Sequence, residues 1–182
     1  MPADDAANVS VNAGNLFSAA DVATILRERG WLSGEPSPTH LAWCEHAAAI
    51  LGAQVPGTGA LAELLSLVFH YNAREILALP DNQAVMSRYA ARDVLRLLGL
   101  LLLEDGPLTS DCFKEIIDRL KADLDIRGRE LFHPIRLALA GRAGEGDLDR
   151  VILLVDEAAA LQFAAPVKST RERILEFCAA LD

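Results

Sequence analysis

Residues 128–155 read "GRELFHPIRLALAGRAGEGDLDRVILLV". A proline splits the stretch, one arginine sits inside an apolar octet, and a glycine-rich turn leads into a second apolar run. His133–Pro134 suits the entrance of a short helix, because proline is tolerated at the first helical position. Gly141 would close that helix. Within it, Ile135 and Leu139 lie four apart and pack inward, with Leu137 and Ala138 closing the sides. Arg136 falls off that line, which leaves two readings. Its guanidinium emerges at the rim, where it can stack on or fork to an unstacked base, or it pairs with a nearby carboxylate and orders the turn. The turn "GRAGEGD" has the glycines of a phosphate-cradling loop ahead of a helix N-terminus. It lacks the Lys-Ser/Thr of a P-loop and no strand precedes it, so it reads as a connection between two helices.

Working outward, the same helical period continues in both directions. Ser18 caps a first helix carrying Val22, Ile25 and Leu26, with Gly30 as its stop. Helices are expected over "THLAWCEHAAAILGA", around "ALAELLSLVFHY" and over "NAREILALP", the last closed before Pro80. The segment "DNQAVMSRYAARDVLRLLGLLLLEDG" reads as one helical unit with Val85, Tyr89 and Leu98 broadly on one side. After "GPLTS", with Ser110 as cap, comes the cleanest amphipath: Phe113, Ile116, Ile117, Leu120 and Leu124 on one face, and Lys114, Glu115, Asp118, Arg119 and Lys121 on the other. A capping box at Ser169–Glu172 opens the last helix. No alternating strands and no hairpin signature occur. The expected fold is all-α, a multi-helix bundle, with a flexible lead over 1–16, a helical subdomain over 17–107 and a second over 108–182.

The totals bound the function. Of 182 residues, 52% are apolar, enough for a substantial core. The net charge of −9 argues against a nonspecific DNA binder, since phosphate neutralisation needs a basic face. The three cysteines, Cys44, Cys112 and Cys178, are widely spaced and read as reduced thiols in a cytoplasmic protein. No run is long enough to span a bilayer, and the N-terminus lacks an apolar signal core. His40 and Cys44, four apart with His46 nearby, fall short of a zinc set, so neither metal nor cofactor is expected. Arg88, Arg92 and Arg96 at four-residue intervals form a stripe with two readings: a solvated helix face, or guanidinium groups tracking a phosphate backbone.

Read together, residues from about 108 to 161, "LTSDCFKEIIDRLKADLDIRGRELFHPIRLALAGRAGEGDLDRVILLVDEAAAL", resemble the C-terminal anticodon-binding region of bacterial glutamyl-tRNA synthetases. The family pattern Pro-Leu-Arg-x-Ala-Leu-Thr-Gly stands here as Pro134-Ile135-Arg136-Leu137-Ala138-Leu139-Ala140-Gly141. The resemblance implies a tRNA-binding helical module whose partner is the anticodon loop of a tRNA, or a synthetase served in trans. Arg136 is the matching arginine. Glu145 and Gly146 occupy the loop positions that contact anticodon bases in that family, with Leu148 just beyond at the start of the next helix, and Arg142 and the Arg88/Arg92/Arg96 row are the further candidates for RNA. Ala140 replaces the family's threonine, Glu145-Gly146 its proline-containing loop, and Val155-Asp156-Glu157 its Leu-Gly-Lys-Glu. These departures motivate an alternative, a protein-interaction scaffold derived from that domain with RNA binding lost. Neither the His-x-Gly-His nor the Lys-Met-Ser-Lys-Ser signature of the class I catalytic domain is present, and "PVKST" is a superficial echo of the second. The chain is therefore not expected to be an enzyme.

Overall fold

The computed structural model describes residues 16–104, 106–144 and 146–182, and these are helical throughout, with no strand among them. The lead expected over 1–16 falls, except for Leu16, outside the described residues. Ten α-helices follow in order: α1 (Ala19–Glu28), α2 (Pro38–Leu51), α3 (Thr58–Phe69), α4 (Ala73–Ala78), α5 (Pro80–Met86), α6 (Ala91–Leu102), α7 (Ser110–Leu124), α8 (Arg129–Ala140), α9 (Leu148–Ala160) and α10 (Thr170–Leu181). A 3₁₀ turn over Gly52–Gln54 extends α2. Among the described residues no single helix is long and apolar enough to cross a membrane.

Side chains of the first turns fix several helix starts. Ser18 and Asp21 form a reciprocal capping box on α1, and Ser169 and Glu172 do the same on α10. On α7 the cap is Thr109, one residue before the expected Ser110; its hydroxyl accepts the Cys112 N–H at 3.1 Å. Ser110 instead donates to the Asp149 carboxylate on α9, tying the two helices together.

Burial then sorts the helices into two apolar clusters. One joins α1, α2 and α3 to the second half of α9, where Leu154, Val155 and Ala158 point inward. Trp43 is its anchor, edge-on to Phe69 and Phe163, with its indole N–H donating to the Leu154 carbonyl at 2.9 Å. The other joins α4 to α8 with α10 and the first half of α9, through Leu148 and Ile152. Helix α9 thus threads both clusters, because its apolar residues occupy both of its halves.

Two differences from the sequence reading matter for the site. Helix α8 begins at Arg129, so Pro134 lies inside it and not at its entrance. Proline there removes the hydrogen bond to the Glu130 carbonyl, but Glu130 is exposed and water can take that role, while Leu131 and Ile135 on either side are wholly buried. The 80–102 segment is two helices, broken at Ser87–Ala90, and Tyr89 is fully exposed instead of sharing one side with Val85 and Leu98, which are buried. Phase explains the break. At roughly 100° per residue, Val85 and Val94 would lie on opposite sides of one continuous helix; both are buried, so the chain must turn between them.

Candidate nucleic-acid interface

The turn between α8 and α9 is built by its glycines and held by arginines. Gly141 closes α8 in the left-handed conformation (φ 82°), and a Cβ there would meet Leu67 Cδ2 at 3.2 Å. Beyond it, Arg142 donates to Gln54 Oε1 at 3.1 Å, and the Gln54 amide donates back to Ile50 at 2.9 Å. A Cβ on Gly144 would come within 2.9 Å of the Arg142 guanidinium, so the bare glycine lets that arginine fold over the turn. Arg136 spans the turn from the other side, its Nη2 donating to the Gly146 carbonyl at 2.6 Å. Glu145 lies outside the described residues. Leu148, the first residue of α9, is largely buried in the core and lines the concavities on both sides of Arg136.

Arg136 also forms the wall between two concavities. On one side is a narrow crevice with Gln54, Arg142 and Gly144. On the other is an open groove of about 440 Å³ between α7, α8 and the start of α9, walled by Phe113, Ile117 and Phe132 and rimmed by Lys114, Lys121 and Arg136. Lys121 Nζ lies 5.9 Å from the centre of the Phe132 ring and 3.4 Å from Asp118 Oδ1. Three carboxylates share the groove. Asp118 is held by Lys121, Asp147 faces Arg150 at 3.7 Å, and Asp149 accepts from Ser110, a hydrogen bond that holds its carboxyl below the usual carboxylate range. The groove therefore combines an aromatic wall with three cations and three carboxylates, of which Asp118 is paired with the groove's own Lys121, while Asp147 and Asp149 have partners outside it in Arg150 and Ser110. Lys114, Lys121 and Phe132 were not singled out from sequence as site residues. Their signal was available, because Lys114 and Lys121 are seven apart and so lie on one side of α7.

The expected arginine row does not exist as one row. Arg88 lies in the turn before α6, off the helix that carries Arg92 and Arg96, and its Nη1 is 3.3 Å from His133 Nδ1 on α8. Arg92 Nη1 donates to the Leu181 carbonyl at 2.9 Å, at the C-terminal end of α10. Arg96 lines a small cleft beside Cys178, Leu181 and Asp182. A reciprocal arrangement stands behind Arg92. At the other end of the same antiparallel pair, Arg171 at the start of α10 reaches the Leu102 carbonyl that ends α6 and the Glu104 and Gly106 carbonyls just beyond it. Each helix caps the other with an arginine, where the negative end of the helix dipole favours a cation. Arg92→Ala is expected to lower stability by about 1 kcal/mol and to leave the salt dependence of any RNA binding unchanged. Urea denaturation and a salt titration read the two effects separately.

The remaining sequence candidates have ordinary roles. His40 completes the cap of α2, with Nδ1 3.0 Å from Ser37 Oγ and Nε2 2.9 Å from the Gln162 carbonyl. Cys44 is buried, and burial pushes its thiol up to about 11. His46 faces Glu157 at 3.1 Å. Among the described residues no group of three or more His, Cys, Asp or Glu side chains is placed to hold a metal ion.

The residue that sequence reasoning missed altogether is Arg173. It is wholly buried, donates to the Lys168, Leu139 and Val68 carbonyls at 3.0, 3.0 and 2.8 Å, and lies 4.5 Å from the centre of the Tyr71 ring. Burial pulls its guanidinium down to about 10, a loss partly offset by Tyr71, Asp156 and Glu176.

No protein-family model matches the chain, and no solved structure matches it. Among curated proteins, the chain is 33% identical over 78 residues to glutamate–tRNA ligase 2 of Syntrophus aciditrophicus (strain SB). That match covers 42% of this chain and 16% of the ligase, so the chain spans about a sixth of its relative's length. The chain thus contains a region similar to part of a glutamate–tRNA ligase.

Proposed function

We propose that the protein is a tRNA-binding helical module of the anticodon-binding type, which binds tRNA without itself aminoacylating it. The observation that carries this reading is the groove between α7, α8 and α9, which Lys114, Lys121 and Arg136 line together with the half-buried Phe132, Lys121 lying over its ring. Unstacked RNA bases are recognised by stacking on aromatic rings and guanidinium planes, with lysines on the phosphates. The ligase similarity supplies the RNA class. Arg136, braced on Gly146, is the base contact, and Arg142 orders the turn from behind through Gln54.

Titration of the full chain with total tRNA at low salt tests the reading. Salt-dependent binding is expected, and Arg136→Ala should weaken it about tenfold, the usual cost of losing one arginine–base contact. Absence of binding, or an unchanged Arg136→Ala variant, would overturn it. The competing reading is a protein-interaction scaffold, favoured by the exposed Leu100, Leu103 and Leu175 on a chain of net charge −9. Loss of tRNA binding together with a stoichiometric, RNase-resistant protein complex would favour that alternative.

A further inference from the structure

Tyr89 is the most exposed large hydrophobic residue among the described residues, at 103% of its extended-chain value. It sits at the second position of a tight turn, closed by the Ala91 N–H donating to the Arg88 carbonyl at 3.2 Å. Ala90 follows with φ −104° and ψ 0°, close to the third position of a type I turn. The turn is anchored on both sides, by Val85 in α5 and by Ala91 and Val94 in α6, all buried. The ring is therefore displayed on an ordered support while contributing nothing to the core. Tyrosine in such a place offers a large flat contact with only two side-chain torsions to immobilise.

Its surroundings give the ring a direction. Arg88, in the same turn, reaches across to His133 on α8. His133 and Arg136 are three apart on α8, hence neighbours on its surface, and Phe132 beside His133 forms the groove wall. Arg88, His133 and Arg136 thus link the α5–α6 turn to the groove along α8, with Tyr89 next to Arg88 in that turn. The exposed carboxylates nearest this path in sequence, Asp93 and Glu130, lie in the first turns of α6 and α8. A phosphate is disfavoured beside them, so a strand following the path would set a base against Tyr89 and its phosphate against Arg88.

We infer that Tyr89 is a second stacking contact for single-stranded RNA, outside the groove, with Arg88 as its phosphate partner; this rests on the tRNA-binding reading above. The bound strand then extends along α8, from the groove to the α5–α6 turn, and the site takes several consecutive unpaired nucleotides.

The test is anisotropy titration of the full chain against total tRNA at low salt, with three variants. Tyr89→Ala should bind about tenfold more weakly, the scale of one lost base stack. Tyr89→Phe, which keeps the ring, should stay within about twofold. Arg88→Ala should reduce the slope of log affinity against log salt by about 0.7. Thermal unfolding of Tyr89→Ala should match the parent, since the ring supports no packing. If Tyr89→Ala binds like the parent while Arg136→Ala is weakened, the groove reading stands and this inference falls. Equal weakening of Tyr89→Phe and Tyr89→Ala would replace stacking by a hydroxyl contact and overturn it as well. A parent chain that binds no tRNA overturns both.

Discussion

Replacing Arg173 by leucine is expected to cost about 2–6 kcal/mol of stability, from leaving two buried carbonyls without donors at about 1–3 kcal/mol each. Desolvating a guanidinium costs several kcal/mol even after relaxation, and among the described residues this one donates to carbonyls and is paired directly with no carboxylate. What holds it is backbone. Val68 lies in the last turn of α3 and Leu139 in the last turn of α8, where carbonyls lack partners within their helices and carry the negative end of the dipole. One planar fork donates to both, and its face covers Tyr71, whose hydroxyl donates to Ala138 at the end of α8. Burial raises the Tyr71 phenol well above its ordinary range, so the ring stays neutral beside the cation. Leucine would fill part of the volume but leave the buried Leu139 and Val68 carbonyls without donors, each worth about 1–3 kcal/mol, and the part-buried Lys168 carbonyl as well. Lysine keeps the charge but not the fork, and should fall between parent and leucine. Because Val68 belongs to one apolar cluster and Leu139 to the other, the loss should also loosen the two clusters from each other. Urea denaturation followed by tryptophan fluorescence reads this, since Trp31 and Trp43 both report on the first cluster. A leucine variant with the parent's midpoint would show that the guanidinium is not the keystone described.

Arg173 also marks the limit of what the sequence could tell. Helix existence was legible almost everywhere, because period and caps are local: Ser18, Ser169 and Gly141 each act within a few residues of themselves. The α7 amphipath was legible for the same reason. What failed was anything decided by a partner distant in sequence. Pro134 looks like a helix entrance locally, yet burial of Leu131 pulls the start back to Arg129. The α5–α6 break carries no glycine or proline, and only the half-turn slip in phase between Val85 and Val94 betrays it. Arg92 and Arg171 look like surface charges until the antiparallel pairing of α6 with α10 brings each to the other's C-terminus. At the candidate site, Arg136 and the turn glycines were legible as a unit. Lys114, Lys121 and Phe132 were not, since their meeting depends on how α7 lies against α8.

Those lysines carry the largest expected effect on binding. Lys114→Glu combined with Lys121→Glu should weaken tRNA binding on the order of 100-fold at low salt, from counterion arithmetic. Each phosphate neutralised on a single strand contributes a slope of about 0.7 in log affinity against log salt. Losing two such contacts near 0.1 M salt accounts for roughly 25-fold, and reversing the charges adds repulsion to the loss. Lys121→Glu acts further by placing a second carboxylate beside Asp118, whose present partner is that lysine. The fold should survive, because Lys114 is exposed and the Lys121–Asp118 pair lies at the surface, where such pairs are worth about 0–1 kcal/mol. Net charge alone could produce some weakening on so acidic a chain, so the control must carry the same change elsewhere. Arg27→Glu with Arg29→Glu at the C-terminal end of α1 does this, among residues that do not line the groove. The control should alter affinity by no more than a few-fold, as expected for charges screened beyond a Debye length of about 10 Å. If both double variants weaken binding equally, RNA responds to overall charge and the groove is not its site. A large loss confined to the α7 pair, with a shallower salt slope, places the phosphates over the groove and leaves Arg136 to the base between them.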